Sequence, residues 1–262
     1  MTVTLPLQQR HALVTGGSRG IGYAVAQGLL LQGARVTLMG RDEKSLQEAC
    51  ASLASYGETG FVSGNVASQS EVREAFAAAK ARFGVIDVLV NNAGQAVSER
   101  FDRIEEAAWQ QMIAVNLTGT FHCIQAALPD MLAQQWGRVV NVASTAGLAG
   151  YAYVSAYCAA KHGVIGLTRS LALETAKKGI TINAVCPGFT ETDILRDTIE
   201  NIMHKTGMTH EQAQSKLAAG NPQGKLVQPA QVADAVVWLC QPGASAVNGQ
   251  SIPVDGGEVM VG

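Results

Sequence analysis

The sequence predicts an α/β fold: one doubly wound parallel sheet of about seven strands, helices on both of its faces, and a small helical lid. Short β-branched runs alternate with longer stretches of helical period, as a sheet wound with crossover helices requires. Most of those runs are apolar on both faces, so both faces must be covered. A length of 262 residues, 47% of them hydrophobic, suffices for one large core without a second domain.

The strands are expected at residues 11–15, 34–40, 60–66, 86–90, 138–143, 181–185 and 250–254. Between the first two, Ile21, Ala24, Val25, Gly28 and Leu29 recur at helical spacing and form one apolar stripe to lay on the sheet; Gly33 ends that helix. Ala160, Val164, Leu167 and Leu171 mark a second long helix, and Val232, Val236 and Leu239 a third. No repeat, low-complexity tract or linker divides them, so residues 1–262 are expected to form a single domain. Residues 189–227 break the rhythm, with no strand pattern and two short amphipathic stretches at 194–203 and 210–217. A long segment following a strand's carboxyl end, where open α/β sheets bind ligands, reads as an active-site lid; a surface elaboration is the plainer alternative.

Charged residues make up 15% of the chain and the net charge is -2, which leaves no basic footprint for nucleic acid or an acidic membrane. The expected ligand is a small molecule. Cys50, Cys123, Cys158, Cys186 and Cys240 are scattered with no C-x-x-C pair, which suits core thiols in a reducing compartment rather than a metal site. Residues 1–10 lack a basic stretch followed by an apolar run, and no run of about eighteen apolar residues occurs. A cytoplasmic protein without membrane or nucleic-acid partners is therefore expected.

Thr15-Gly16-Gly17-Ser18-Arg19-Gly20-Ile21-Gly22 joins the first strand to the first helix. Its glycines let the backbone approach a pyrophosphate at a helix N-terminus, and the strand-turn-helix context supports that reading over a ligand-free tight turn. The residue that selects between adenosine riboses should end the second strand, where an acidic side chain would bond the hydroxyls of NAD. Gly40-Arg41 stands there instead. A guanidinium suits a 2′-phosphate, Arg19 offers a second cation, and so NADP(H) is expected over NAD(H); pairing of Arg41 with Asp42 or Glu43 is the alternative.

Tyr157 and Lys161 are spaced i, i+4 and project from one helix face. Alone, such a pair is as well explained by a packed tyrosine beside a solvated lysine. Its company points to chemistry: Ser144, Asn91-Asn92-Ala93-Gly94 and Pro187-Gly188 each follow a strand's carboxyl end. Together with the glycine turn, Asn116 in Val115-Asn116-Leu117 and Tyr157-Cys158-Ala159-Ala160-Lys161, these motifs make the chain resemble the short-chain dehydrogenase/reductase family over essentially its whole length.

That resemblance implies a Rossmann-like dinucleotide-binding domain and a nicotinamide-dependent oxidoreductase interconverting a ketone and a secondary alcohol. It makes Asn116, Ser144, Tyr157 and Lys161 the catalytic residues. It places the cofactor against Gly16, Ser18, Arg19, Gly20, Ile21 and Gly22, then Gly40, Arg41, Asn65 and Val66. Asn92 and Gly94 flank the adenosine side and Thr192 lies near the nicotinamide amide, with Ala93, Tyr157, Lys161, Pro187, Gly188 and Thr190 also binding the cofactor. Asn65 departs from the family's usual aspartate, although an amide can still bond adenine. A tyrosine's ordinary pKa near 10 makes it a poor proton exchanger at neutral pH, so the Lys161 ammonium and the positive charge of oxidised nicotinamide are both expected to stabilise the phenolate. Ser144 would hold the substrate oxygen, Lys161 the nicotinamide ribose, and Asn116 a water relay.

Asn183-Ala184-Val185-Cys186-Pro187-Gly188 and the closing Asp255-Gly256-Gly257 resemble the reductases of 3-oxoacyl thioesters and polyketides. Gln134-Gln135-Trp136 stands where carrier-protein reductases often have a basic run, although Lys177-Lys178 could face a phosphorylated carrier. The alternatives are an NAD-dependent 3-hydroxyacid or 3-hydroxyacyl-CoA dehydrogenase, suited by the long lid, and a non-catalytic nucleotide-binding protein. A homotetramer, or at least a dimer, is expected by resemblance, through helices beginning near Glu106 and Ser155 and the C-terminal segment. Ile165, Ala172 and Leu173 lie off the sheet-facing stripe of their helix, and Val259, Met260 and Val261 have no following element to cover them.

Overall fold

The computed structural model describes residues 5–260. Its seven strands form one parallel sheet in the order β3-β2-β1-β4-β5-β6-β7. They are β1 (His11–Thr15), β2 (Arg35–Gly40), β3 (Thr59–Ser63), β4 (Val88–Asn91), β5 (Gly137–Val142), β6 (Ile180–Pro187) and β7 (Ser251–Val254). The helices are α1 (Gly20–Leu31), α2 (Glu43–Leu53), α3 (Gln69–Phe83), α4 (Glu106–Ile113), α5 (Gly119–Gln134), α6 (Ser155–Thr175), α7 (Asp193–Thr206), α8 (His210–Ala218) and α9 (Pro229–Cys240). Two apolar layers sandwich the sheet. One gathers Val25, Leu29, Leu38, Val90, Val232 and Val236, and the other Leu13, Phe76, Leu89, Ile124, Met131 and Ile182.

The strand positions agree with the sequence pattern, and the bounds shift for identifiable reasons. β3 stops at Ser63 rather than 66 because its partner β2 ends at Gly40, after which one bond remains, from Gly64 N to the Gly40 carbonyl at 2.8 Å. β6 runs on to Pro187 because β7 supplies a partner as far as Val254. The strands are also less uniformly apolar than expected: His11, Thr37, Asn91, Asn141 and Asn183 are all buried in them. Each has a partner. Asn91 Nδ2 donates to Asn141 Oδ1 at 2.8 Å, Asn141 Nδ2 to Thr168 Oγ1 at 2.9 Å, and Thr168 Oγ1 to the Val164 carbonyl at 2.8 Å. This polar chain ties β4 and β5 to the middle of α6, where an unmade bond would cost ~1–3 kcal/mol.

β1 is central, pairing with β2 on one side and β4 on the other. Crossovers leave it in opposite directions, and the carboxyl ends of β1 and β4 therefore border the crevice that such a switch point creates. Helix α6 buries Val164, as expected, but it also buries Ile165 and Ala172 within the same chain, correcting the expectation that both face outward. Ile165 fills the space under Gly147, and the Ala172 carbonyl accepts from Asn248 Nδ2 at 3.0 Å. Leu173 alone of the three is outward, at 81% exposure. Val261 lies outside the described residues, and Met260 is exposed.

The segment 189–227 holds α7 and α8 as a unit. Leu195, Ile199, Ala213 and Leu226 form its apolar centre, packed with Phe189, Met203 and Leu217. Its two roots are joined by a bridge between Thr190 and Val227, where Val227 N donates to the Phe189 carbonyl and Glu191 N to the Val227 carbonyl, both at 2.9 Å. A reciprocal capping box between Thr209 and Gln212 starts α8. Among the described residues no helix is long and apolar enough to cross a membrane.

Candidate active site

A cleft of about 1470 Å³ follows the carboxyl ends of the strands, from Arg41 past Tyr157 to the lid. On the β1 side it is walled by Gly16, Ser18, Arg19, Gly20, Ile21, Gly40 and Arg41. Asn65, Val66, Asn92, Ala93 and Gly94 follow, then Asn116, Ser144, Tyr157 and Lys161, with Pro187, Gly188, Thr190 and Thr192 opposite. Of the residues expected at the site, Gly22 alone is set back from the cleft. It is packed so tightly under Gly16 that a side chain would strike that residue's carbonyl and Asn92 Nδ2.

The turn between β1 and α1 is built to leave its amides free. Gly16 and Gly20 take φ values of 62° and 54°, which side-chain-bearing residues rarely adopt. α1 opens on Arg19 with no side-chain cap and no acid in its first turn. Its first N–H groups therefore fit an anion such as a pyrophosphate. Thr15 Oγ1 accepts from both Asn92 N and Ala93 N at 3.0 Å, and Asn92 Nδ2 donates to the carbonyls of Thr15 and Gly16 at 3.1 Å. Asn92 thus holds the glycine turn in place through its Nδ2 while lining the cleft.

Arg41 is exposed at the mouth, and among the described residues no carboxylate pairs with it; Asp42 instead caps α2, accepting from Ser45 N at 2.7 Å. Arg19, the second expected cation, pairs with Asp193 at 3.0 Å. Asn65 turns its amide oxygen onto Ala67 N at 3.1 Å, which leaves its NH₂ and the second lone pair of that oxygen for a base.

Helix α6 places Tyr157 and Lys161 one turn apart, with Lys161 Nζ 5.6 Å from the Tyr157 ring centre. Lys161 is buried and donates to the Val142 carbonyl at 2.8 Å; burial pulls its pKa down to about 8. Tyr157 is half-buried, burial pushes its phenol up, and the hydrogen-bonding influence of the Ser144 hydroxyl draws it partly back. Ser144 Oγ also accepts from Ala146 N at 3.1 Å, starting a short turn that fixes its position after β5.

Asn116 sits in a π turn, Ala114–Thr118, between α4 and α5. Its Nδ2 donates to the carbonyls of Gln95 and Met112 at 3.0 Å, and its Oδ1 accepts from Gln95 N at 3.2 Å. The extra residue of a π turn is what brings this side chain from the helix wall to the loop after β4.

Several cleft residues carry no periodic or motif signal in the sequence. Tyr151 and Thr145 line the wall beside Ser144, and the Tyr151 ring meets Phe189 edge-on at 6.3 Å. The outer end is bordered by Arg100, Arg103, Lys205 and Lys216. Lys177 and Lys178 instead follow the far end of α6, whose 21 residues span about 30 Å, so neither faces the cleft.

Residues 10–202 match the family model described as short chain dehydrogenase. The chain is 38% identical to the D-beta-hydroxybutyrate dehydrogenase of Cupriavidus necator over 97% of its own length and 99% of the relative's. It is 36% identical to the 3-oxoacyl-(acyl-carrier-protein) reductase of Vibrio cholerae over 97% and 99% of the two chains. Among solved structures it is similar to a variant of actinorhodin polyketide ketoreductase with NADPH, at TM-score 0.92 and 38% identity, covering 95% of this chain and 97% of that one. With the parallel sheet, the glycine turn and the Ser144–Tyr157–Lys161 arrangement already in place, this chain belongs to the short-chain dehydrogenase/reductase family, oxidoreductases that act on CH–OH groups with NAD(P)(H).

Proposed function

We propose that the protein is an NADP(H)-dependent ketoreductase that reduces a 3-oxoacyl thioester or a similar ketone, with Tyr157 as general acid and base. The observation that carries this reading is Tyr157 and Ser144 facing one cleft beside buried Lys161. NADPH, when bound, supplies the hydride that adds to the substrate carbonyl carbon. The amides of the glycine turn and α1 would hold its pyrophosphate, Arg41 its 2′-phosphate, and Thr190 and Thr192 its nicotinamide side. Ser144 then positions the substrate oxygen, and Tyr157, a phenol protonated at neutral pH, gives that oxygen its proton. Lys161 and Asn116 orient the proton path behind Tyr157. Residues 189–227 form a lid over this end of a single 1–262 domain, excluding water from the reacting atoms.

Arg41, which pairs with no carboxylate among the described residues, supports NADP(H) over NAD(H); at the outer rim Arg100 is paired with Asp102 and Lys205 with Glu99, so it is Arg103 and Lys216 that support a substrate whose acyl group hangs from an anionic carrier. The second reading, an NAD-dependent 3-hydroxyacid or 3-hydroxyacyl-CoA dehydrogenase, is favoured by the 38% identity to a D-beta-hydroxybutyrate dehydrogenase. Steady-state rates with acetoacetyl-CoA and with 3-hydroxybutyrate, each with both cofactors, separate the two. Faster turnover of 3-hydroxybutyrate with NAD than of the thioester with NADPH overturns the proposal.

A further inference from the structure

We propose that Glu258 is a positioning residue of the substrate site, bracing the wall tyrosine Tyr151 against the start of the lid and the turn that follows α8. The inference rests on reading this end of the cleft as the substrate end. Tyr151 Oη donates to Glu258 Oε1 at 2.7 Å, a bond between residues 107 positions apart. The same carboxylate lies against two backbone stretches with no room to spare. A methyl group on Gly188, where the lid leaves β6, would sit 3.0 Å from Glu258 Oε2, and one on Gly220, just beyond α8, would sit 3.2 Å from Oε1. One side chain therefore lies against the start of the lid, the turn after α8 and the cleft wall at once.

Glu258 is held there by its own turn. Asp255, buried at the end of β7, accepts from Gly257 N at 2.9 Å and from Val259 N at 2.8 Å, fixing the backbone on both sides of Glu258. From Glu258 the contact passes through the Tyr151 ring to Phe189, their centres 6.3 Å apart at 89°, and Phe189 packs against the apolar centre of the lid. A phenol donating to an ionised carboxylate is a charge-assisted bond, stronger than one between neutral groups. Burial and the nearby carboxylate also push the Tyr151 phenol up, which keeps it a donor. Glu258 does not line the cleft itself, so its effect reaches the substrate only through Tyr151 and the lid.

The experiment compares Glu258→Ala, Glu258→Gln, Tyr151→Phe and the Glu258→Ala/Tyr151→Phe double variant of the full chain. Acetoacetyl-CoA with NADPH is the kinetic probe, and deuterium uptake across residues 189–227 is the second readout. Loss of the brace is expected to raise the KM for acetoacetyl-CoA about tenfold and to leave kcat and the KM for NADPH nearly unchanged. Lid exchange quickens in Glu258→Ala and Tyr151→Phe alike, and the double variant is no worse than either. Glu258→Gln, whose amide oxygen still accepts from the phenol but in a neutral bond, falls between wild type and Glu258→Ala. Wild-type KM and wild-type lid exchange in Glu258→Ala overturn the proposal, and so do additive effects in the double variant. Should Glu258→Ala fail to fold, Tyr151→Phe against wild type decides the lid exchange. If the wild-type protein does not turn over acetoacetyl-CoA, the thioester reading fails while lid exchange still decides the brace.

Discussion

The Arg19 guanidinium lies 3.0 Å from the Asp193 carboxylate, joining the glycine turn to the first residue of α7 in the lid. Asp193 also receives Arg196 at 3.1 Å, so it holds two cations at the cleft mouth. The Arg19 side chain is 72% exposed, and such a pair contributes at most about 1 kcal/mol. Asp193→Asn should therefore melt close to wild type while freeing Arg19 for a phosphate. A lower Kd for NADPH in fluorescence titration is the expected outcome; an unchanged Kd shows that Arg19 and the cofactor do not meet.

Tyr157→Phe removes the phenolic proton and leaves the ring. Turnover should fall by at least about a hundredfold, the lower range for general acid–base catalysis, with NADPH binding retained. Single-turnover measurement of NADPH consumption checks this, and a variant that keeps its rate removes Tyr157 from the proposed role.

Arg41→Ala takes away a cation that no carboxylate neutralises among the described residues. The KM for NADPH should rise about tenfold or more, and the slower NADH reaction should change little. A wild-type preference for NADH would contradict the cofactor assignment before any variant is made.

His11 supplies a pH test remote from the cleft. Its Nδ1–H donates to the Gly84 carbonyl and its Nε2 accepts from Thr37 Oγ1, both at 2.9 Å, so the neutral ring is fully bonded. Burial lowers its pKa from 6.5. The unfolded chain therefore binds a proton first as pH falls, and the stability due to His11 is complete above pH 6.5 and lost below it. Melting temperatures followed downward from pH 7 should drop more steeply for wild type than for His11→Gln; parallel curves would show that His11 does not titrate on unfolding.

The tetramer remains a proposal, now with a different set of residues behind it. Ile165 and Ala172 are covered internally, whereas Leu173, Phe121 and Trp238 are 81%, 42% and 46% exposed on α6, α5 and α9. Light scattering at micromolar concentration should give roughly four times 27.4 kDa, and a particle of 27.4 kDa would exclude the assembly.

The sheet was legible because each strand is a short run set between helical periods, and the positions at strand ends were legible because open sheets gather ligands there. Gly16, Ser144 and Tyr157 share one cleft for that reason. What stayed hidden depends on contacts distant in sequence. Nothing local marks Asn92 as the brace of the glycine turn, Asp193 as the partner of Arg19, or Tyr151 and Glu258 as a pair. The polar chain through Asn91, Asn141 and Thr168 was missed for a related reason: a buried amide in a strand looks like a break in the pattern until its partners on other elements are known.

The central place of β1 has a consequence for biosynthesis. Ala12, Leu13 and Val14 must pair with Val88, Leu89 and Val90, yet β2 and β3 leave the ribosome first. At ~5–20 residues per second, that edge of β1 stays bare for about 4–15 s, an apolar template carrying neither lysine nor proline to blunt it. A nascent or truncated chain ending before Val88 keeps the edge open, so premature termination products should be retained by chaperones or recovered as aggregates, while the finished chain closes its own sheet.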